Sequence, residues 1–173
     1  VLRENGIEDP ATVRAAVEQA SGLPGRALAF AMDESQQEAA KEAGRFFTER
    51  LNWDQATHLT EGVERFRKLH RPGDNSRNLL WLNEAEGWLR DLLYCINEQA
   101  LGRAPVPGRL GRQERLPVLR QYGQLGLDQA SIGKAAEAVS DARMSLSPTV
   151  NGNLELTASR LMLVLDKELR KHA

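Results

Sequence analysis

The chain has very little cysteine: Cys95 is the only one in 173 residues, so no internal disulfide can form. It lies in an apolar helical stretch, where a lone thiol reads as a small buried hydrophobe in a reducing compartment. No apolar run approaches the ~18 residues a membrane-crossing helix needs, which argues against a membrane partner. Charge of one sign is also missing. The formal net charge is −1, too small for a global field that draws nucleic acid or an anionic surface. Alternating strand patterns are absent. The chain opens at Val1, already in helical periodicity and without Met or a signal-peptide pattern. We therefore expect a cytoplasmic fragment of a longer protein.

Catalytic and metal motifs are missing as well. "GLDQASIGKA" comes nearest to a phosphate loop, but Gly126 and Gly133 are too far apart. Ala135 also stands where the magnesium-binding hydroxyl belongs. No GxGxxG or GxSxG occurs. His58, His70 and His172 lack the HExxH or ExxH spacing that sets ligands on one helix face. We expect no catalytic residue, no metal and no cofactor in this fragment.

What is present is helix. Charged residues make up 27% and apolar residues 41%, ordinary for a globular protein. Period-3.6 patterns dominate, predicting an all-α fold of about seven or eight helices. Asp9-Pro10 is a start signal, with Asp as N-cap and Pro at the first helical position. A short apolar helix restarts at Pro24, after Gly22. From Asp33 the composition turns polar ("ESQQEAAKEAGRFFTERLN"), predicting a solvated helix. A helix near Asp54–Arg71 ends at "RPGD", a Pro-Gly turn. The clearest element is "NLLWLNEAEGWLRDLLYCINEQALG", with Leu82, Ala85, Leu89, Leu92, Leu93 and Ile96 at helical spacing and Gly102 as its stop. Helices near Gln113–Gln124 and Asp128–Ser147 follow, and a last one starts at Leu154.

Four groups of residues merit a reading of their own. Asp54 and His58 are four apart and read as a surface i,i+4 contact. Glu84 and Glu86 are two apart, face different ways and read as solvated charges. Trp53, Trp81 and Trp88 read as core or interface anchors rather than a base-stacking platform, because basic residues do not alternate with them. Finally, Arg103, Arg109, Arg112, Arg115 and Arg120 share a segment with only one acid, Glu114. They are candidate phosphate contacts, set against the plainer reading of a solvated connector.

Three stretches together resemble the C-terminal part of the bacterial DNA polymerase III clamp-loader delta-prime subunit family. "VLRENGIEDPATVRAAVEQASGLPGRALAF" is similar to the end of the AAA+ lid, where a Gly-x-Pro-Gly-x-Ala-Leu turn joins two helices. "WLRDLLY", Trp88 to Tyr94, resembles a helix of the C-terminal domain. "LSPTVNGNLELTASRLMLVL" is similar to the closing Asn-x-Asn-x-x-Leu pattern and its apolar helix. Residues 35–77 match only in helical character. The resemblance implies that 1–33 ends an AAA+ lid and that 34–173 is a helical collar used for oligomerisation.

The implied role is assembly with sibling clamp-loader subunits, of gamma/tau and delta type, to load the sliding clamp in DNA replication. DNA would be contacted only indirectly, and the ATPase-like core would precede Val1. The family's hydrolysing members carry a sensor arginine in the lid turn. Here Gly25 takes that place and Arg26 follows, off register by about 100° of helix. This fits a subunit that does not hydrolyse ATP itself.

A collar helix packs on its own bundle and on its neighbours. In the last helix, Leu154, Ala158, Leu161 and Leu165 form one stripe, and Leu156, Leu163 and Val164 are the candidates for a second, subunit-facing one. A central helix of a monomeric bundle would also be apolar all round. Two other functions stay open: a helical nucleic-acid-binding domain using the Arg103–Arg120 segment, and an enzyme centred on Asp54, His58 and Glu61.

Overall fold

The computed structural model describes residues 33–150 and 152–170, with positions 8–10, 13, 16, 17, 27 and 31 before them. The lid assignment to 1–33, including the Gly25–Arg26 register, lies almost wholly outside these residues, as does His172. Pro10, Val13, Ala16 and Val17 are helical, and Val13 N–H donates to the Asp9 carbonyl, as an Asp9 cap requires.

Six α-helices follow from residue 34: α1 (Glu34–Glu49), α2 (Gln55–Lys68), α3 (Ser76–Ala100), α4 (Leu116–Gly123), α5 (Gln129–Ser145) and α6 (Leu154–Glu168). Short 3₁₀ turns at Arg50–Asn52, Pro107–Arg109 and Gln113–Arg115 join them. Among the described residues there is no strand, only an isolated bridge between Arg71 and Asp74 in the Pro-Gly turn. The fold is all-α.

Local chemistry sets the helix starts. Asp33, Asp54, Asp128 and Asn153 each accept a backbone N–H of the first turn, at Ser35, Thr57, Ser131 and Leu156 respectively. α3 stops where Gly102 takes φ +67°, a left-handed conformation that favours glycine.

Packing does not follow chain order. α1 lies on α3, α3 on α5, α5 on α6, and α6 on α2, with α4 also against α3. α3 is therefore central, burying Trp81, Leu82, Ala85, Trp88, Leu89 and Leu92. Cys95 is fully buried on the same face, and burial pushes its thiol up to about 11.

α1 corrects the expectation of a solvated helix. Ala39, Ala40, Ala43, Phe46 and Phe47 are all buried. Small alanines let α1 approach α3 closely, and the two phenylalanines then fill the core. Phe47 stacks on Trp88 with centroids 5.2 Å apart, and Phe46 meets Trp81 edge-on at 5.3 Å. Trp81 and Trp88 are core, as the sequence suggested. α2 and α6 approach closely at Gly62, where an added Cβ would lie 2.8 Å from Met162 Sδ.

Candidate functional site

The last helix carries the first candidate surface. Of its expected inner stripe, Ala158, Leu161 and Leu165 are at most 1% exposed, with Met162 beside them, while Leu154 is only half-buried. Opposite lie Leu156 and Leu163, 70% and 53% exposed. They are seven residues apart, about 20° of rotation on an α-helix, so they share one outward face. Val164 is set apart from Leu163. It sits about 100° round from Leu163, half-buried on the flank that faces α5. The expected three-residue stripe is thus two exposed leucines and a flank residue.

A groove runs along each side of this helix. Between α2 and α6 it is an open groove of about 1220 Å³, with Leu59, Val63, Leu154 and Leu163 as its apolar lining. Arg67 and Glu155 close to 3.6 Å across its rim. Between α5 and α6 a smaller groove of about 350 Å³ is lined by Ala138, Ala142, Leu156 and Val164. Apolar surface of this kind on a helix face suits packing against another helix.

The Arg103–Arg120 segment divides in two. Arg103, Arg109 and Arg120 are exposed. Arg115 is buried, with Nη2 donating to Glu84 Oε2 at 2.8 Å and Nη1 to Asp91 Oδ2 at 3.0 Å. Arg112 Nη2 donates to Glu84 Oε1 at 3.0 Å, and Gly111 N–H donates to Asp91 Oδ1 at 2.9 Å. The Arg115 guanidinium also lies 4.9 Å from the Trp88 ring centre. Burial lowers the Arg115 pKa, while Glu84 and Asp91 raise it. Arg112 and Arg115 are therefore bound to carboxylates of α3 rather than presented to phosphates. Glu84 is correspondingly buried, which corrects its reading as a solvated charge; Glu86 is exposed and pairs with Arg143 at 2.9 Å.

Asp54, His58 and Glu61 are not brought together as a reacting set. Asp54 caps α2, and Glu61 lies 3.7 Å from Arg65. His58 is 1% exposed, so the expected surface contact with Asp54 gives way to a buried one. Its Nε2 accepts from Arg50 Nε, and its Nδ1 lies 3.7 Å from Asp166 Oδ1. Burial first, then Arg50 and Arg170, push the His58 pKa down to about 3, so the ring is neutral near pH 7. Arg50 was missed in the sequence because nothing separates it from the other basic residues near a helix end. Its burial depends on α6 passing over it.

No family model, curated protein or solved structure matches this chain. What it can do rests on its own surfaces. Among the described residues no group of three or more His, Cys, Asp or Glu could hold a metal ion, and no helix is long and apolar enough to cross a membrane.

Proposed function

We propose that this chain is an assembly module: a helical collar of the clamp-loader delta-prime kind, docking against sibling gamma/tau- and delta-type subunits in the cytoplasm. The observation that carries it is the outward face of α6, where Leu156 and Leu163 are exposed on a helix that buries Ala158, Leu161 and Leu165 on its other side. That helix lies within the stretch resembling the family's closing pattern, so the sequence likeness and the apolar surface fall on one element. Two of the five candidate arginines are taken up inside the molecule, which weakens the nucleic-acid reading relative to helix-on-helix docking.

Replacing Leu156 and Leu163 together with Asp would put unpaired charge into such a contact. We expect unchanged helical content by circular dichroism and loss of co-elution with the sibling subunits on a sizing column. Normal co-elution of the folded variant would remove this face from the interface. No affinity of the unmodified chain for any sibling subunit would end the assembly reading. Tight DNA binding at physiological salt, lost when Arg103, Arg109 and Arg120 become Gln, would favour the nucleic-acid reading instead.

A further inference from the structure

The connector after α3 and the last turn of α4 build a second surface, on elements other than α6. The connector turns back along α3 and is held there by its backbone. Arg103 N–H donates to the Glu98 carbonyl at 2.8 Å, Val106 N–H to the Tyr94 hydroxyl at 3.1 Å, and Gly111 N–H to Asp91 Oδ1 at 2.9 Å. Asp91 and Tyr94 are three residues apart, on one side of α3. Pro105 and Leu110 are the connector's buried residues. Arg120 belongs to the same stretch: α4 lies against α3, an added Cβ at Gly123 would meet the Gln99 side chain, and the Arg120 charge acts on the Cys95 thiol.

Arg103, Arg109 and Arg120 are exposed and make no ion pair among the described residues. Exposed cations elsewhere are matched: Arg45 pairs with Glu42, Lys68 with Glu64 and Arg160 with Asp141. Around the connector the acids are committed inward. Glu84 and Asp91 close on Arg112 and Arg115, and Glu114 lies 3.8 Å from Arg112. Glu98 is half-buried and pairs with none of the three arginines. Beside these charges stand Leu101 and Val106, 62% and 50% exposed.

Uncompensated like charges on a held backbone favour an oppositely charged partner, and little ordering is left to be done on binding. We propose that this surface binds an extended acidic protein segment with an apolar residue among its carboxylates. Arg103, Arg109 and Arg120 take the carboxylates, and Leu101 and Val106 take the apolar side chain. Arg103 and Arg109 are at most about 20 Å apart along the chain, so a short extended segment reaches both. Nucleic acid fits less well. Single strands are held by aromatic platforms, whereas Tyr94 is half-buried with its hydroxyl bonded to Val106, and Tyr122 is buried. A phosphate backbone would also leave Leu101 and Val106 unmatched.

Fluorescence anisotropy at physiological salt tests this with three labelled probes: a peptide of aspartates interrupted by leucines, a copy with serine for leucine, and a single-stranded oligonucleotide of equal charge. The leucine peptide should bind saturably, and the serine copy at least about tenfold more weakly. Arg103→Gln, Arg109→Gln and Arg120→Gln together should weaken peptide binding by at least about tenfold. Lys41→Gln with Arg71→Gln, at cations equally exposed and without an ion pair, should leave it unchanged. Leu101→Ser with Val106→Ser should abolish the preference for leucine while keeping every arginine. Circular dichroism checks the folding of each variant. Leu156→Asp with Leu163→Asp should bind the peptide as the parent does, so this surface and the α6 face stand or fall separately. Absence of saturable peptide binding, equal binding of the two peptides, binding that survives the arginine substitutions, an equal loss in the Lys41 and Arg71 variant, or tighter binding of the oligonucleotide would each overturn the proposal.

Discussion

Two buried arginines, Arg50 and Arg115, sit in the same bundle and are handled in opposite ways. Arg115 meets two carboxylates, Glu84 and Asp91, both supplied by α3. Arg50 meets an imidazole nitrogen and a backbone carbonyl, lies 5.9 Å from the Phe46 ring centre and 5.8 Å from that of Tyr122, and borders a cavity. Around Arg115, removing one partner strands buried charges of the other sign. Around Arg50 the acceptors are neutral, so less is lost. A buried cation is thus either closed with charge from its own fold or held by neutral acceptors and aromatic faces.

The largest effect should come from opening the closed network. Arg115→Met leaves Asp91 and Glu84 buried without their main cation and should cost about 3–5 kcal/mol in urea unfolding. A cost near zero would mean that Arg112 alone satisfies both carboxylates.

Next comes pH. The folded-state pKa of His58 is depressed to about 3, below the ordinary 6.5. Between those values the unfolded chain binds a proton that the native chain refuses. Stability is therefore full above about pH 6.5 and falls as pH drops towards 3, by up to about 1.4 kcal/mol per pH unit from this group. Unfolding free energies from pH 6.5 to 4.5 should slope less steeply in His58→Gln than in the parent chain. Parallel slopes would place the charge sensitivity elsewhere.

Arg50→Met should be milder than Arg115→Met, about 1–3 kcal/mol, because it strands neutral acceptors, one on His58 and one on Leu165. If chemical denaturation ranks the two substitutions in the reverse order, the contrast between the sites fails. The smallest effect on folding belongs to the α6 surface. Leu156→Asp and Leu163→Asp should each move stability by no more than about 0.5 kcal/mol, since these side chains leave little behind in the core. A larger loss by urea titration would mean that the face is already covered within the chain.

Much of the architecture was legible in the residues. The capping aspartates, Gly102 and the 3.6-residue spacing in α3 are local signals, and each governs a local event. Three of the four residues read as the inner stripe of α6, Ala158, Leu161 and Leu165, are buried for the same reason, and Leu154 is half-buried at the helix start. Val164 lies half-buried between the two faces; a helix with apolar residues at neighbouring angles does not say where its flanks end. α1 was misread because three of its five buried residues are alanine, which carries little hydrophobic signal. Glu84 looked solvated because its partners, Arg112 and Arg115, lie 28 and 31 residues downstream.

The sequence by itself determined that the chain is helical, where most helices start and stop, and which stripe of the last helix is buried. Caps, turns and periodicity act over a few residues, and their energies are written within that span. Only the tertiary structure decided which charges go inside. Burying Arg50, His58, Glu84 or Arg115 requires elements distant in the chain to arrive with matching groups: Arg50 reaches the carbonyl of Leu165, 115 residues away. Desolvation of a charge is set by everything packed around it, and helix periodicity holds no record of that.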